Sequence, residues 1–404
     1  MTIPAIGIPV ASLYLHVPFC SDICDYCDFF SLKTDGDSGR SMDLFVKALL
    51  EDVAFQLELF GVRRVPSVYL GGGTPSTLGP DRITRLLDGL SRLLPPPQTG
   101  TEGPEPREIT VEANPETADR DFLAACAAAG VTRVSLGVQS FDAAARSGIG
   151  RSGTPERVCR GLALAAELFP GRFSADLISG LPFQDLAVLK ADVARLSDFG
   201  PEHVSLYGLI LEPGTPLYRK RAETPLPTDD LADDLWISGR DLLEEAGLSQ
   251  YEVSNFARPG RESVHNIRYW RMESWLAAGP SASATVIGRN GDGTPAGRRY
   301  TYPEDLDGYL ASPGPLSDLA ECRALSPDDL LRESLLMGFR YREGPDEGLF
   351  RERFGMGIRE LIPETIGRWR SRGFFRTESS LGPSPSGLLF VNAFIRDAFT
   401  ELDK

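Results

Sequence analysis

Residues 13–30 read Leu-Tyr-Leu-His-Val-Pro-Phe-Cys-Ser-Asp-Ile-Cys-Asp-Tyr-Cys-Asp-Phe-Phe, which sets Cys20, Cys24 and Cys27 at CxxxCxxC spacing. Thiolates are soft ligands for iron–sulfur clusters, zinc or copper(I). Three close thiolates without a fourth fit a four-iron cluster that leaves one iron open to a ligand. A structural zinc site usually takes four ligands, often as two CxxC knuckles, and no second knuckle follows. A disulfide framework suits a short secreted chain, not 404 residues with six cysteines.

Working outward, the composition is 42% hydrophobic and 25% charged, as in a globular protein, with a net charge of −15. So acidic a surface argues against nucleic acid and anionic membranes as general partners. No apolar run reaches the length of a membrane span. The start, residues 1–12, lacks a basic n-region and reads as a short lead into the first strand. Cys126 and Cys159 lie in helix-like patterns and read as small buried hydrophobes; Cys322 is isolated. Free thiols beside an oxygen-sensitive cluster imply a reducing cytoplasm.

After the cysteines, an amphipathic helix spans 41–60 and a strand spans 65–70, ending in Gly71-Gly-Gly-Thr-Pro-Ser76. Helix 81–94 leads to a Pro-rich surface loop over 95–106. Strands follow at 108–112, 133–138, 173–178 and 203–210, with helices at 118–129, 155–169 and 184–198 between them. Such alternation argues parallel strands with helical crossovers. Periodicity does not separate an open sheet from a barrel. Helix 228–246 and strand 251–256 come next, then His265-Asn-Ile-Arg-Tyr-Trp270. Beyond about 323 the pattern predicts helices at 327–340, 346–354 and 356–371, with strands at 373–375 and 387–390. This end reads as a small, helical, winged-helix-like domain. It has no basic run, which disfavours a DNA role.

In parallel α/β folds, ligand residues gather at the C-terminal ends of the strands. The cysteines, Gly71–Gly73, Glu112, Gln139, Asp176 and Tyr207 all fall at or near such ends. Glycines there let a ligand approach the backbone. The Gly-Lys-Ser/Thr of a phosphate loop is missing.

Together, Tyr14-Leu-His-Val-Pro-Phe-Cys20, the CxxxCxxC and GGGTPS resemble the radical S-adenosylmethionine (SAM) superfamily. Within it they resemble the branch of the oxygen-independent coproporphyrinogen III oxidases and the HemW-type haem chaperones. The resemblance covers nearly the whole chain and is strongest over 13–270. It implies an α/β fold, a partial (β/α)6 barrel splayed open on one side, with a small C-terminal helical domain. The domains would be a barrel core over 1–215, an extension over 216–322 and the C-terminal domain over 323–404.

It also implies a [4Fe-4S] cluster on Cys20, Cys24 and Cys27, whose open iron holds SAM. Reduction splits SAM into methionine and a 5′-deoxyadenosyl radical. Gly72, Gly73 and Thr74 would meet the SAM amino group, and Tyr26 the adenine. Glu112 and Asp176 would bind ribose, and Gln139 ribose or methionine. Arg151 would pair with the carboxylate, as its planar fork suits. Tyr14 would join the cofactor-binding set, with His16 beside cluster and SAM in support, not as ligand.

Three features favour the chaperone type over the oxidase. Phe29 stands where the oxidases carry a fourth cysteine. Nineteen residues precede Cys20, where the oxidases have a longer segment. His265–Trp270 resembles the HNxxYW of the chaperones. Imidazole is a common haem ligand, so His265 is the candidate ligand, with Tyr269 and Trp270 against the macrocycle. The implied function is haem binding and delivery. The alternative is oxidative decarboxylation of coproporphyrinogen III propionates. The implied partners are haem or porphyrin, recipient haem proteins and a reductant such as flavodoxin or ferredoxin. No nucleic acid is expected, and membranes are met only through recipients. Two places depart from the pattern. Ser283 stands where the family has the histidine of Ala-His-Ser, and Leu381–Gly387 differs from Leu-Thr-x-x-Gly.

Overall fold

The computed structural model describes residues 7–34, 38–96, 99–100, 103–104, 107–311 and 320–404. Six strands alternate with helices over the first half of the chain: β1 (Ser12–Val17), β2 (Ser67–Gly72), β3 (Glu108–Ala113), β4 (Arg133–Gln139), β5 (Phe173–Ser179) and β6 (His203–Gly208). The helices between them are Ser38–Phe60, Gly79–Leu93, Arg120–Ala128, Pro155–Leu168 and Leu186–Ser197. Asp119 and Asp185 start two of these helices, each accepting a backbone N–H with its side chain.

Six more strands complete the sheet: β7 (Ser249–Gln250), β8 (Asn255–Ala257), β9 (Trp275–Ala278), β10 (Ser283–Arg289), β11 (Pro295–Thr301) and β12 (Glu321–Leu325). Their order is β7-β8-β6-β5-β4-β3-β2-β1-β9-β10-β11-β12. The run from β6 through β9 is parallel throughout. Antiparallel strands extend both ends, so the curved sheet stays open, as the resemblance implies. β9 is a parallel strand beside β1 that the sequence pattern does not reveal.

Side chains alternate across the sheet with period two. On one face Leu13, Leu15, Val17, Val68, Leu70, Val111, Val134, Leu136, Leu177 and Leu206 are buried against the helices in one continuous core. The other face carries Tyr14, His16, Ser67, Tyr69, Glu108, Glu112, Ser135, Asp176, Ser205 and Tyr207. This polar row lines the concave side.

Several expected elements differ. Residues 251–256 do not form one strand. Tyr251 and Glu252 lie in a reversal between β7 and β8, and Arg342 N–H bonds the Tyr251 carbonyl. The 356–371 helix is two, Ile358–Leu361 and Pro363–Arg370, because Pro363 has no N–H to continue the first. Neither 373–375 nor 387–390 is a strand. Phe375 makes only an isolated bridge to Pro383, and a short helix spans Pro385–Leu389 with Ser384 as its cap. The C-terminal region is therefore helical, ending in Val391–Leu402, without the wing strands. A second core of Phe339, Trp369, Phe374 and Phe394 holds it together. Residues 1–6 of the expected lead over 1–12, and half of the 95–106 loop, lie outside the described residues; within that loop, Thr99–Gly100 and Gly103–Pro104 pair antiparallel. Cys126 is buried as expected, and Cys159 is half-buried. Among the described residues no helix is long and apolar enough to cross a membrane.

Gly72 is fixed by two constraints. Its φ is +101°, and a Cβ would land on the His16 imidazole. Gly61 also has positive φ, +63°, but faces open space. Gly72→Ala should therefore cost about 3 kcal/mol or more, strain plus overlap, against about 1 kcal/mol for Gly61→Ala. Denaturant midpoints test this; equal losses would refute the steric account.

Candidate functional site

The three cysteines lie on a loop that leaves β1 and returns beside it. Phe19–Cys20 pairs with Leu32–Lys33, closing residues 21–31 into a lobe. His16 holds the return: its Nε2–H donates to the Phe30 carbonyl at 2.8 Å, and its Nδ1 accepts from the Tyr14 hydroxyl at 3.1 Å. Both ring nitrogens are thus engaged, and burial lowers the pKa, so the ring is neutral. On the opposite side Asp25 N–H bonds the Ile149 carbonyl, and the Asp25 carbonyl accepts from Leu217 N–H.

Cys20, Cys24 and Cys27 line one cavity of about 390 Å³. The same cavity is lined by Tyr26, Gly72, Gly73, Thr74, Glu112, Gln139, Arg151 and Asp176. Eight side chains or glycines singled out from the sequence thus meet the thiols in one place. Cys20 Sγ lies 3.3 Å from Thr74 Oγ1, and Arg151 Nη1 donates toward Cys24 Sγ at 3.5 Å. Burial pushes the Cys27 thiol up to about 11. Among the described residues, no three of His, Cys, Asp and Glu converge closely enough for a single metal ion. A four-iron cluster holds its thiolates farther apart than one ion does, and this donor set suits it.

The rest of the cavity suits a polar, partly anionic ligand. Arg151 also donates to the Gly137 carbonyl, and its buried Nε has no partner among the described residues. A carboxylate would complete it. Gln139 sits at a β-bulge with φ +67°, a strained conformation for a non-glycine residue that aims it off the strand. Gly137 keeps the space open: a Cβ there would come 3.0 Å from Gln139 Nε2. Glu112 and Asp176 share the far wall. Desolvation raises Glu112 to about 7 and Asp176 to about 6; the Tyr69 hydroxyl and Ser205 respectively oppose it.

Sequence reading missed the brace behind Arg151. Arg146 is buried, bonds Glu116 Oε1 at 2.6 Å, and also donates to the carbonyls of Val138 and Ser152. It ties the end of β4 to the loop that carries Arg151. Its only sequence signal is an arginine on a short alanine-rich turn.

Tyr14, His16 and His265 do not enter the cluster cavity. They line a second one of about 380 Å³ with Phe29, Tyr69, Tyr269, Trp275 and Ser283. Phe29, 64% exposed, lines both. His265 lies on the helix Val264–Trp270, whose N-terminus is clamped by Glu108: the carboxylate accepts from Ser263 Oγ, Val264 N–H and His265 N–H at 3.0–3.2 Å. Ser67 Oγ donates to Ser12 Oγ, so it accepts from His265 Nδ1 at 3.0 Å. That bond puts the imidazole proton on Nδ1 and leaves the lone pair on Nε2. Nε2 is buried and has no partner among the described residues. Burial lowers the ring's pKa to about 3, so it stays neutral.

Tyr269 is one helical turn from His265 and lies against it, centroids 4.8 Å apart. Trp270 points elsewhere and packs with Tyr251, Ala257 and Tyr341, so it does not share the expected macrocycle face. Ser283 bonds Thr301 Oγ1 at the cavity edge, which brings the departure from the family pattern into this same cavity. His203 lines neither cavity and is buried against the Tyr251 hydroxyl at 2.9 Å.

A model of the Radical SAM superfamily matches residues 14–195. A protein named radical S-adenosyl methionine domain-containing protein 1, mitochondrial, from Bos taurus is 35% identical over 372 residues, covering 91% of this chain and 77% of that one. A heme chaperone HemW of Escherichia coli is 37% identical over 281 residues, covering 70% and 71%. Another, of Lactococcus lactis, is 33% identical and covers 88% of each chain. The chain belongs to the radical SAM superfamily, in the branch of the proteins named HemW. Its cofactors are accordingly a [4Fe-4S] cluster and SAM. The structure of the coproporphyrinogen III oxidase HemN from Escherichia coli superposes with a TM-score of 0.78 at 22% identity, over 97% of this chain and 90% of that one. That likeness bears on the fold.

Removing Arg146 strands Glu116. Arg146→Ala should lose about 3–5 kcal/mol of stability, as breaking a buried pair does, and weaken SAM binding by loosening Arg151. Chemical denaturation and SAM titration check both. A midpoint within about 1 kcal/mol of wild type would refute the brace.

Proposed function

We propose that this chain binds haem at His265 and passes it to recipient haem proteins, while its cluster cavity holds SAM. The observation that carries this is the His265 imidazole, on an aromatic-walled cavity: neutral, proton fixed on Nδ1 by Ser67, lone pair on an Nε2 without a partner among the described residues. A buried polar atom without a partner is costly to keep, and iron is the partner this geometry suits. Tyr14, Tyr69 and Tyr269 give the cavity an aromatic lining that suits an apolar macrocycle. Several relatives carry the name heme chaperone.

In the cluster cavity Cys20, Cys24 and Cys27 hold the cluster. Arg151 takes the SAM carboxylate, Gly72, Gly73 and Thr74 meet its amino group, and Glu112 and Asp176 take the ribose, with Gln139 and Tyr26 beside them. Bound there, cluster and SAM supply one-electron chemistry and a source of a carbon radical. A reductant such as flavodoxin or ferredoxin would feed the cluster.

Phe29 in place of a cysteine argues against coproporphyrinogen oxidation. Anaerobic incubation of the reconstituted chain with SAM, dithionite and coproporphyrinogen III should give no decarboxylation above a cluster-free control, while haem gives a Soret band. Turnover would replace this reading with an oxidase. His265→Ala should shift the Soret maximum and weaken haem binding at least about tenfold; an identical spectrum removes His265 as the ligand. Cys24→Ala should abolish the four-iron absorbance, and Arg151→Ala should weaken SAM about tenfold or more with the cluster retained.

A further inference from the structure

Glu112 and His265 line different cavities, and Tyr69 touches both. Its hydroxyl donates to Glu112 Oε1 at 2.6 Å. Its ring lies against the His265 imidazole with centroids 5.2 Å apart and planes 35° apart. Tyr14, its register neighbour on β1, stacks on the same ring at 6.3 Å. Of the two rings against the imidazole, Tyr69 is the one tied to the cluster cavity.

Glu112 also accepts from the Gly72 backbone. A carboxylate has room for about four donors, but its bonds compete for the same charge. A ribose diol placed on Glu112 would add two hydroxyl donors from the cavity that Glu112 lines. The phenol is the donor free to leave, because Gly72 N–H is fixed by the chain. A phenol that gives up its acceptor in a desolvated wall turns to find another. His265 Nε2 is sealed, so a haem iron reaches it only if a neighbouring ring moves.

We infer that Tyr69 is a positioning residue that couples the two cavities: a diol on Glu112 releases its hydroxyl, the ring turns from His265, and SAM and haem promote each other's binding. This rests on the reading above, with SAM at Glu112 and haem at His265. Linkage requires the two effects to be equal: SAM must tighten haem by the factor by which haem tightens SAM.

The test titrates the cluster-reconstituted chain anaerobically with haem, with no SAM and with saturating SAM, following the Soret band; the converse titration measures SAM. SAM should lower the haem Kd about fivefold or more, the lower end of ordinary site–site coupling, and haem should lower the SAM Kd equally. In Tyr69→Phe, which keeps the ring and loses the tether, the ratio should fall to about one. Its SAM-free Soret maximum should sit where that of the wild type sits with SAM. A second arm needs no variant: the 2′,3′-dideoxy analogue of SAM, at saturation, should leave the wild-type haem Kd unchanged. A wild-type ratio of one, a ratio that survives Tyr69→Phe, or an analogue that acts like SAM each overturns the coupling. A chain that binds no haem, or whose Soret band ignores His265→Ala, overturns the haem reading itself, and the SAM-free titration shows this separately.

Discussion

Each parallel strand of this sheet carries two kinds of side chain, and their alternation decides where polar ligands can go. Leu13, Leu15 and Val17 face helices while Tyr14 and His16 face the concave side; Val68 and Leu70 face helices while Ser67 and Tyr69 do not. A one-residue slip would exchange the faces. It would drive Glu112 and Asp176 into an apolar core and strip the cavity of its donors. Burial on the helix side therefore fixes the register, and the register places the chemistry. The cost appears as raised carboxylate pKa values at Glu112 and Asp176, which desolvation imposes and hydroxyl donors only partly offset.

On this frame the two cavities are built differently. The cluster cavity is assembled from strand ends and loops, held by buried polar ties such as Arg146–Glu116 and His16–Phe30. The His265 cavity is built from aromatic rings on β1, β2 and a short helix whose start is clamped by Glu108. They meet at Phe29 and at Tyr69. Phe29 puts a largely exposed ring where the two cavities adjoin. Tyr69 closes with a hydrogen bond that a competing donor can take away.

Most of this is legible in the order of the amino acids. Strand–helix alternation implies the parallel sheet, and the thiol spacing with its glycine loop implies the cluster cavity, because both depend on short-range pattern. What stays hidden depends on distant residues. Nothing in Trp275–Ala278 says it pairs beside β1, since that pairing spans most of the chain. Residues 251–256 look like one strand by composition, yet the chain reverses at Tyr251 where the C-terminal region meets it. The helix at Pro385 is hard to foresee because Gly-Leu-Leu-Phe fits either period, and only the Ser384 cap decides. Tyr69 reads as filler in a strand; its importance comes from the register that sets it between Tyr14 and Glu112. Adjacency groups Trp270 with His265, whereas helical geometry pairs His265 with Tyr269.

The sheet order also says something about time. β1, which leads directly into the cysteine loop, pairs on one side with β2 but on the other with β9, about 260 residues later. At ordinary synthesis rates of about 5–20 residues per second that edge waits roughly 10–50 seconds for its partner. The helix carrying His265 and the strand that closes the second cavity emerge in the same late stretch. During the nascent interval the three thiols are already made and one flank of their strand is bare. Every residue lining the cluster cavity precedes Trp275, so its parts are all made before β9 docks, and only then is the wall of the second cavity completed.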